Sequence, residues 1–505
     1  MSLSFFYVAI QREKRSTMKY ANPVIKGFHP DPSICFDGKS YYLVCSSFEY
    51  FPCLPIFKSQ DLLNWQFKQY AIDCPDHINL KEISNSMGLF APTIRFFEET
   101  YFLVCTNVTQ GNFICHTKNL DHGWSDPIWI NCPFGIDPSL SFIDGRFFFQ
   151  LAASMKGKNS ILQFEIDPYS GKMLTDPVEI SQGCGGRDAE APHLFKKDEW
   201  YYLILAEGGT REGHMVTIQR SKSINGPYEG ASMNPILSNR DIKSPLQAVG
   251  HADFFQDKEG FWWLTALATR PKRHFTLLGR ETILLPVEWI DGWPVVNQTG
   301  NASVEVETDR FSKSVKQRNE PVPFLCKKLQ SVRLPIDYTY DTDLVIDNLP
   351  TRLGTSKDEP IAFLSLSQAD TDCCFETTLM VDECQEGTFG IAIYKDDLHF
   401  CQFGLRKTKH QTELFSSKII FDLHLHRSNN LKDRKRLTLK LSGDSNSYNL
   451  LIIDGTSTVV FKDQIAVRHF TNECSDSKFT GVQLGVFAEA ATGKTRFITP
   501  ELRYQ

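Results

Sequence analysis

One motif occurs five times in the N-terminal part of the chain, and it limits the fold more than any other feature. The copies are "DPSICFDGKSYYLVCS" from Asp31, "APTIRFFEETYFLVCT" from Ala91, "DPSLSFIDGRFFFQLA" from Asp137, "APHLFKKDEWYYLILA" from Ala191 and "HADFFQDKEGFWWLTALA" from His251. Each has a short opening, an apolar residue, a polar turn and an aromatic strand. The turns "FDGK", "FEET", "IDGR", "KKDE" and "DKEG" carry the Asp, Gly and charged residues of hairpin loops. Successive copies begin 60, 46, 54 and 60 residues apart, room for four short strands with loops. The pattern therefore predicts an all-β fold with a five-bladed β-propeller over residues 20–305.

In a propeller the first strand of every blade lines the central channel, so equivalent positions of successive copies converge on the axis. The aligned opening positions hold Asp31, Ala91, Asp137, Ala191 and His251, with Glu190 one residue before the fourth. An Asp before Pro is also a common turn former whose carboxylate caps local backbone N–H groups. Three acids at or beside the same register of separate blades are better explained by a shared channel. Carboxylates crowded in a partly dry pocket cannot all ionise easily, so one protonated acid is expected beside an ionised base. That pair is what glycoside hydrolysis uses. Inverting enzymes keep the two groups about 6.5–9.5 Å apart, with room for a water between them and the sugar.

At 505 residues the chain exceeds one ordinary core, which points to two domains. A net charge of −6, without a long basic run, excludes a phosphate-binding surface and makes nucleic acid an unsuitable partner. The start "MSLSFFYVAIQREKRSTMKY" has an apolar run too short for a signal core and no basic leader. A cytoplasmic protein with no membrane span is the expectation, with residues 1–19 as an N-terminal extension outside the fold. Met18 stands just before the patterned region. The 14 cysteines lie mostly in strand-like runs without metal-binding CxxC pairs, as reduced buried thiols do. Nothing in the sequence sets the oligomeric state, and a homo-oligomer stays open.

The motifs "NPVIKGFHPDPSI", "SSFEYFP", "FAPTIR", "GIDPSL", "EAPHL", "AEGGT", "VGHADF" and "LGRETILLPVEWIDGWPVVN" follow in order from residue 22 to 297. Together they resemble the inverting glycoside hydrolases of family 43, of the β-xylosidase and α-L-arabinofuranosidase type with an appended β-sandwich. The resemblance implies an exo-acting enzyme that releases β-D-xylose or α-L-arabinofuranose from short oligosaccharides. It implies Asp31 as general base, Glu190 as general acid and Asp137 as the group that orients Glu190 and tunes its pKa. Arg280 looks like the family's substrate-binding arginine and His251 like its axial histidine, with Phe48, Phe90 and Ala91 completing the expected substrate-binding set. No cofactor is required, and a divalent cation in the channel near His251 is compatible with the resemblance. Asp188, which strand alternation places on the same face as Glu190, and Asp253 compete for the catalytic roles. Trp262 and Trp263 read as packing. The chain departs from the family pattern where Phe90 replaces a common Trp, Cys53 a Gly, and Ala191 a frequent Gly, which puts the preferred sugar in question. A retaining β-fructosidase-like propeller is a second reading, although "FHPDPSI" is not its "NDPNG"-like start. A sugar-binding or scaffold protein without catalysis is a third.

After "GWPVVN" the chain turns polar, and residues 306–325 read as a linker. Beyond it, "FETTLMVDE", "FGIAIYKDDLHFCQFGL", "RLTLKLS", "YNLLIID" and "GVQLGVFAEA" alternate apolar and polar residues. A β-sandwich of the jelly-roll or concanavalin-like kind over 326–505 is expected. In relatives such a sandwich can lend an aromatic residue to the pocket rim. No residue of this half could be picked out for that part.

Overall fold

The computed structural model describes residues 17–504 except 156–157, 312–314, 318–327 and 432–433. Residues 1–16 of the expected extension and much of the expected linker lie outside the described residues. The chain is all-β, and its described helices are the two short 3-10 turns Leu120–His122 and Val467–Phe470.

Each repeat builds its own antiparallel sheet. The first runs in order through Ser33–Phe36, Tyr41–Val44, Cys53–Ser59 and Gln66–Ile72. The second, fourth and fifth are likewise four-stranded and begin with Leu89–Phe97, Glu190–Lys197 and Gln247–Gln256. The third begins with Gly135–Ile143 and is five-stranded, because Lys172–Met173 and Val178–Ser181 both pair with Lys158–Asp167. Each inner strand contacts the inner strand of the next sheet, and the fifth contacts the first, a closed cycle consistent with a propeller.

The cycle is sealed by the N-terminal segment. Thr282 N–H bonds Ile25 O at 3.2 Å, Val24 N–H bonds Thr282 O at 2.9 Å, and His29 N–H bonds Arg280 O at 3.0 Å. Asn22 and Leu284 exchange side-chain and backbone bonds, Tyr20 Oη donates to Leu284 O, and Met18–Ala21 pairs with Glu305–Thr308. Met18 and Lys19 are thus part of a strand rather than of the expected extension, and residues 306–308 belong to its partner rather than to the linker.

The C-terminal half packs a seven-stranded sheet against a six-stranded one. Phe375, Leu439 and Leu441 of the first meet Phe389, Ile391 and Val486 of the second in one core. Strands Arg436–Gly443 and Ser447–Asp454 alternate buried and less buried residues, the signature of a sheet with one wet face. Strand Gly387–Asp396 is buried almost throughout. Its other face, with Ala392 and Tyr394, packs on Phe28, Phe48 and Tyr50 of the N-terminal half.

A buried ion pair strengthens this junction. Glu281 is fully buried and accepts Arg270 Nη2 at 2.8 Å and the Gly27 N–H at 2.7 Å, and Arg270 Nη2 also reaches Ala369 O of the C-terminal half at 3.2 Å. Glu281→Ala would take away the nearest carboxylate and leave the guanidinium to Asp370 Oδ2 at 3.7 Å, and is expected to lower stability by about 1–3 kcal/mol, read from the urea midpoint. A loss below about 1 kcal/mol would mean that the pair behaves as a surface one.

Candidate active site

The five opening positions share an unusual backbone. Asp31, Ala91, Asp137, Ala191 and His251 all have positive φ, between 38° and 54°. For a residue with a Cβ this region costs about 1–3 kcal/mol. In four of the sheets the pairing register breaks across that position, between Phe90 and Thr93, Ile136 and Ser139, Glu190 and His193, and Gly250 and Asp253. Such bulges re-aim side chains out of the pleat. Here four of them lie on inner strands, and Asp31 stands just before the fifth.

Asp31, Asp137, Glu190, His251 and Arg280 line one cleft of about 260 Å³ with Phe48 and Phe90. Asp31 is the most tightly held. Its Oδ1 accepts Arg280 Nη1 at 2.8 Å, its Oδ2 accepts Arg280 Nη2 at 3.3 Å and Ser46 Oγ at 2.6 Å, and His251 Nδ1 stands 3.6 Å from Oδ1. Burial pushes its pKa up, but Arg280, His251 and Ser46 outweigh burial and hold the carboxyl below its ordinary value. Among the described residues Asp137 has no ion-pair partner. Burial raises it to about 6, with Asp31 adding to the rise, against His251 and the donated Ala191 N–H. Glu190 is pushed well above the ordinary range, first by burial and then by the charges of Asp137 and Asp31. It has no ion-pair partner among the described residues.

The alanines at opening positions serve the acids through their backbone. Ala91 does not line the cleft; it is buried, and its N–H bonds Ser46 Oγ at 2.7 Å, which orients the hydroxyl that holds Asp31. Ala191 gives its N–H to Asp137. The other acids are also separated by the structure. Asp253 is buried beneath the cleft on Arg95, at 2.8 and 3.0 Å, and on Ser33 Oγ at 2.8 Å. Asp188 lines the rim, half exposed and paired with Arg187 Nε at 2.9 Å. It precedes the strand that starts at Glu190, so strand alternation does not reach it. Trp263 is core, and Trp262 packs among Phe195, Phe254 and Trp289. Among the described residues no cluster of three or more His, Cys, Asp or Glu side chains could hold a metal ion. All described cysteines are free, though Cys184 and Cys474 are exposed rather than buried.

Phe479 is one of the lining residues that sequence reasoning did not find. It comes from the C-terminal half, stacks on Phe48 at 5.7 Å and meets Phe90 edge-on at 5.9 Å, and its ring and that of Phe48 both face the Arg280 guanidinium. Its only sequence signal is an aromatic side chain in the polar loop "SDSKFTG". Ile136, Arg187, Gly209 and Thr210 also line the cleft. Glu207, buried, accepts the N–H groups of Cys184 and Gly186 at 2.7 and 2.6 Å and so shapes the loop that carries Arg187 and Asp188.

A family model for glycosyl hydrolases family 43 matches residues 20–294, which include every catalytic candidate. The chain is 42% identical over 289 residues to a non-reducing end alpha-L-arabinofuranosidase of Bacteroides ovatus, covering 56% of this chain and 54% of that protein. It is 39% identical over 320 residues to a xylosidase/arabinosidase of Butyrivibrio fibrisolvens, covering 59% and 61%. The chain thus spans less than two thirds of the length of these curated relatives. The solved Bacteroides ovatus structure described as Xyloglucan PUL GH43B superposes with a TM-score of 0.90 at 30% identity, over 97% of this chain and 100% of that one. No helix among the described residues is long and apolar enough to cross a membrane. With a family match over more than half its length and the acids held in one cleft, the chain belongs to glycosyl hydrolases family 43.

Proposed function

We propose that the chain is an inverting, exo-acting glycoside hydrolase that removes β-D-xylosyl or α-L-arabinofuranosyl groups from the non-reducing ends of short oligosaccharides. Residues 18–308 act as a five-bladed β-propeller carrying the cleft, and the C-terminal half as a β-sandwich closing one side of it. The observation that carries this reading is the gathering of Asp31, Asp137 and Glu190 in one cleft with Arg280 and Ser46 bonded to Asp31. Arg280, His251 and Ser46 hold Asp31 below its ordinary pKa against burial, which favours its ionised form, while burial and the charges of Asp137 and Asp31 push Glu190 upward, which favours its protonated form.

Glu190 then gives its proton to the departing glycosidic oxygen as that bond breaks. Asp31 takes a proton from a water that attacks the anomeric carbon from the opposite face, which inverts the centre. Asp137 keeps the proton on Glu190 by its charge. Arg280 orients Asp31 and reaches Thr210 Oγ1 at 3.4 Å. Phe479, with Phe48 and Phe90, gives the cleft an aromatic wall suited to one face of a sugar. The names of the relatives support the two pentoses as substrates. The steps run through these side chains, and no cofactor enters the proposal.

Glu190→Ala is expected to slow hydrolysis of natural-type oligosaccharides by about 10²–10⁴-fold, and of p-nitrophenyl β-xyloside or α-arabinofuranoside by less, because nitrophenolate leaves without protonation. Equal oligosaccharide rates in wild type and variant would remove the acid role. Proton NMR during the first minutes of turnover should show the product anomer opposite to the substrate's. The same anomer would point to a retaining enzyme.

The pH profile carries a sign. Activity should be lost as pH falls through the lowered pKa of Asp31, which must be ionised, and as pH rises through the raised pKa of Glu190, which must be protonated. Asp137→Asn removes a negative charge that raises Glu190, so the alkaline limb of kcat/KM should move to lower pH. A limb that stays or moves upward would show that Asp137 does not tune the acid.

A further inference from the structure

The aromatic wall of the cleft rests on a buried carboxyl group that the chemistry above does not use. Glu49 follows Phe48 in the chain and is fully buried. Its Oε2 accepts the Ser86 N–H at 3.0 Å and its Oε1 accepts Asn85 Nδ2 at 3.3 Å. The Ser86 hydroxyl accepts the backbone N–H of Phe479 at 3.2 Å, and Phe479 O accepts Arg280 Nε at 3.4 Å. Asn85 Nδ2 also donates to Tyr394 Oη at 2.8 Å, and its Oδ1 accepts the Asp397 N–H at 3.2 Å. The loop at Asn85 and Ser86 is thus held between Glu49 on one side and the C-terminal half on the other.

Glu49 sits within electrostatic reach of Arg333 and Lys395. Neither is bonded to its carboxyl: Arg333 is committed to Asp397 Oδ2 at 2.5 Å and Ile83 O at 2.5 Å, and Lys395 to Asn472 Oδ1 at 2.7 Å and Thr480 O at 2.6 Å. Burial accordingly pushes the Glu49 carboxyl up to about 7. For packing alone a neutral side chain would cost less here. What the carboxyl supplies is two acceptors, aimed at the loop that holds Phe479.

We propose that Glu49 is a positioning residue for the sugar-facing wall, fixing the Phe479 backbone through Ser86 and Phe48 through its own place next to it in the chain. The inference rests on the reading of the cleft as a sugar site. It assigns binding to the Glu49–Ser86–Phe479 relay, whose link to the acids runs through the Phe479 carbonyl on Arg280 Nε, the guanidinium that holds Asp31.

The test uses the full chain and the variants Ser86→Ala, Glu49→Gln, Phe479→Ala and Ser86→Ala/Phe479→Ala. Readouts are kcat and KM on the p-nitrophenyl pentoside that wild type cleaves, the calorimetric Kd for xylose and arabinose, and the melting temperature. Ser86→Ala and Glu49→Gln are expected to raise KM and the pentose Kd by about 3- to 10-fold, with kcat changed less than about two-fold. The double variant should bind no more weakly than Phe479→Ala alone, since Ser86 acts through that residue. Should Glu49→Gln fold poorly, Ser86→Ala decides. Unchanged KM and Kd in Ser86→Ala, or a loss that adds to that of Phe479→Ala, would overturn the inference and leave the sugar-site reading intact. A wild type that neither cleaves nor binds a pentose would remove that reading, and this one with it.

Discussion

Closure of the ring of sheets is the constraint on which the rest of the molecule depends. The segment from Asn22 to His29 is hydrogen-bonded along the strand that begins at Arg280, nearly the whole N-terminal half away in sequence. His29 N–H meets Arg280 O, and Thr282 Oγ1 donates to His29 O at 2.7 Å. Asp31 lies two residues beyond His29, so the bonds that shut the ring also bring the guanidinium to its carboxylate. Fold closure and the most tightly held acid of the cleft are one event. An open ring would lose the inner channel and the ionisation of Asp31 together.

The axial acids then differ by what each one faces. Asp31 and Asp253 each receive an arginine, Arg280 and Arg95, and both lie below the ordinary carboxyl range despite burial. Among the described residues Asp137 and Glu190 are bonded to none and are pushed upward. Two guanidiniums among these four carboxyl groups divide the set into ionised and protonation-prone members, and the division follows from placement, since the residue types are alike. Competition between burial and one short ion pair decides each case.

Much of this was legible in the sequence because the repeat carries its own register. Aligning five hairpins put Asp31, Ala91, Asp137, Ala191 and His251 in one column, and all five share the same left-handed backbone. The alternation of "RLTLKLS" and "YNLLIID" is likewise met by strands with one wet face. Features that depend on contact between the halves were not legible. The strand Gly387–Asp396 is covered on both faces, so its burial does not alternate. Phe479 and Glu49 sit in short polar or mixed stretches whose surroundings come from distant residues, and no local period announces them. Nor does the spacing of the motifs show that an opening alanine such as Ala91 or Ala191 works through its N–H while its methyl group stays idle.

The cleft is built by both halves of the chain. The ring supplies Asp31, Asp137 and Glu190, while the C-terminal half contributes Phe479, whose ring lines the same space. Because Phe479 O also accepts Arg280 Nε, and Arg280 holds Asp31, exchange of the C-terminal half between related genes would disturb the aromatic lining and the guanidinium beside the acid at once.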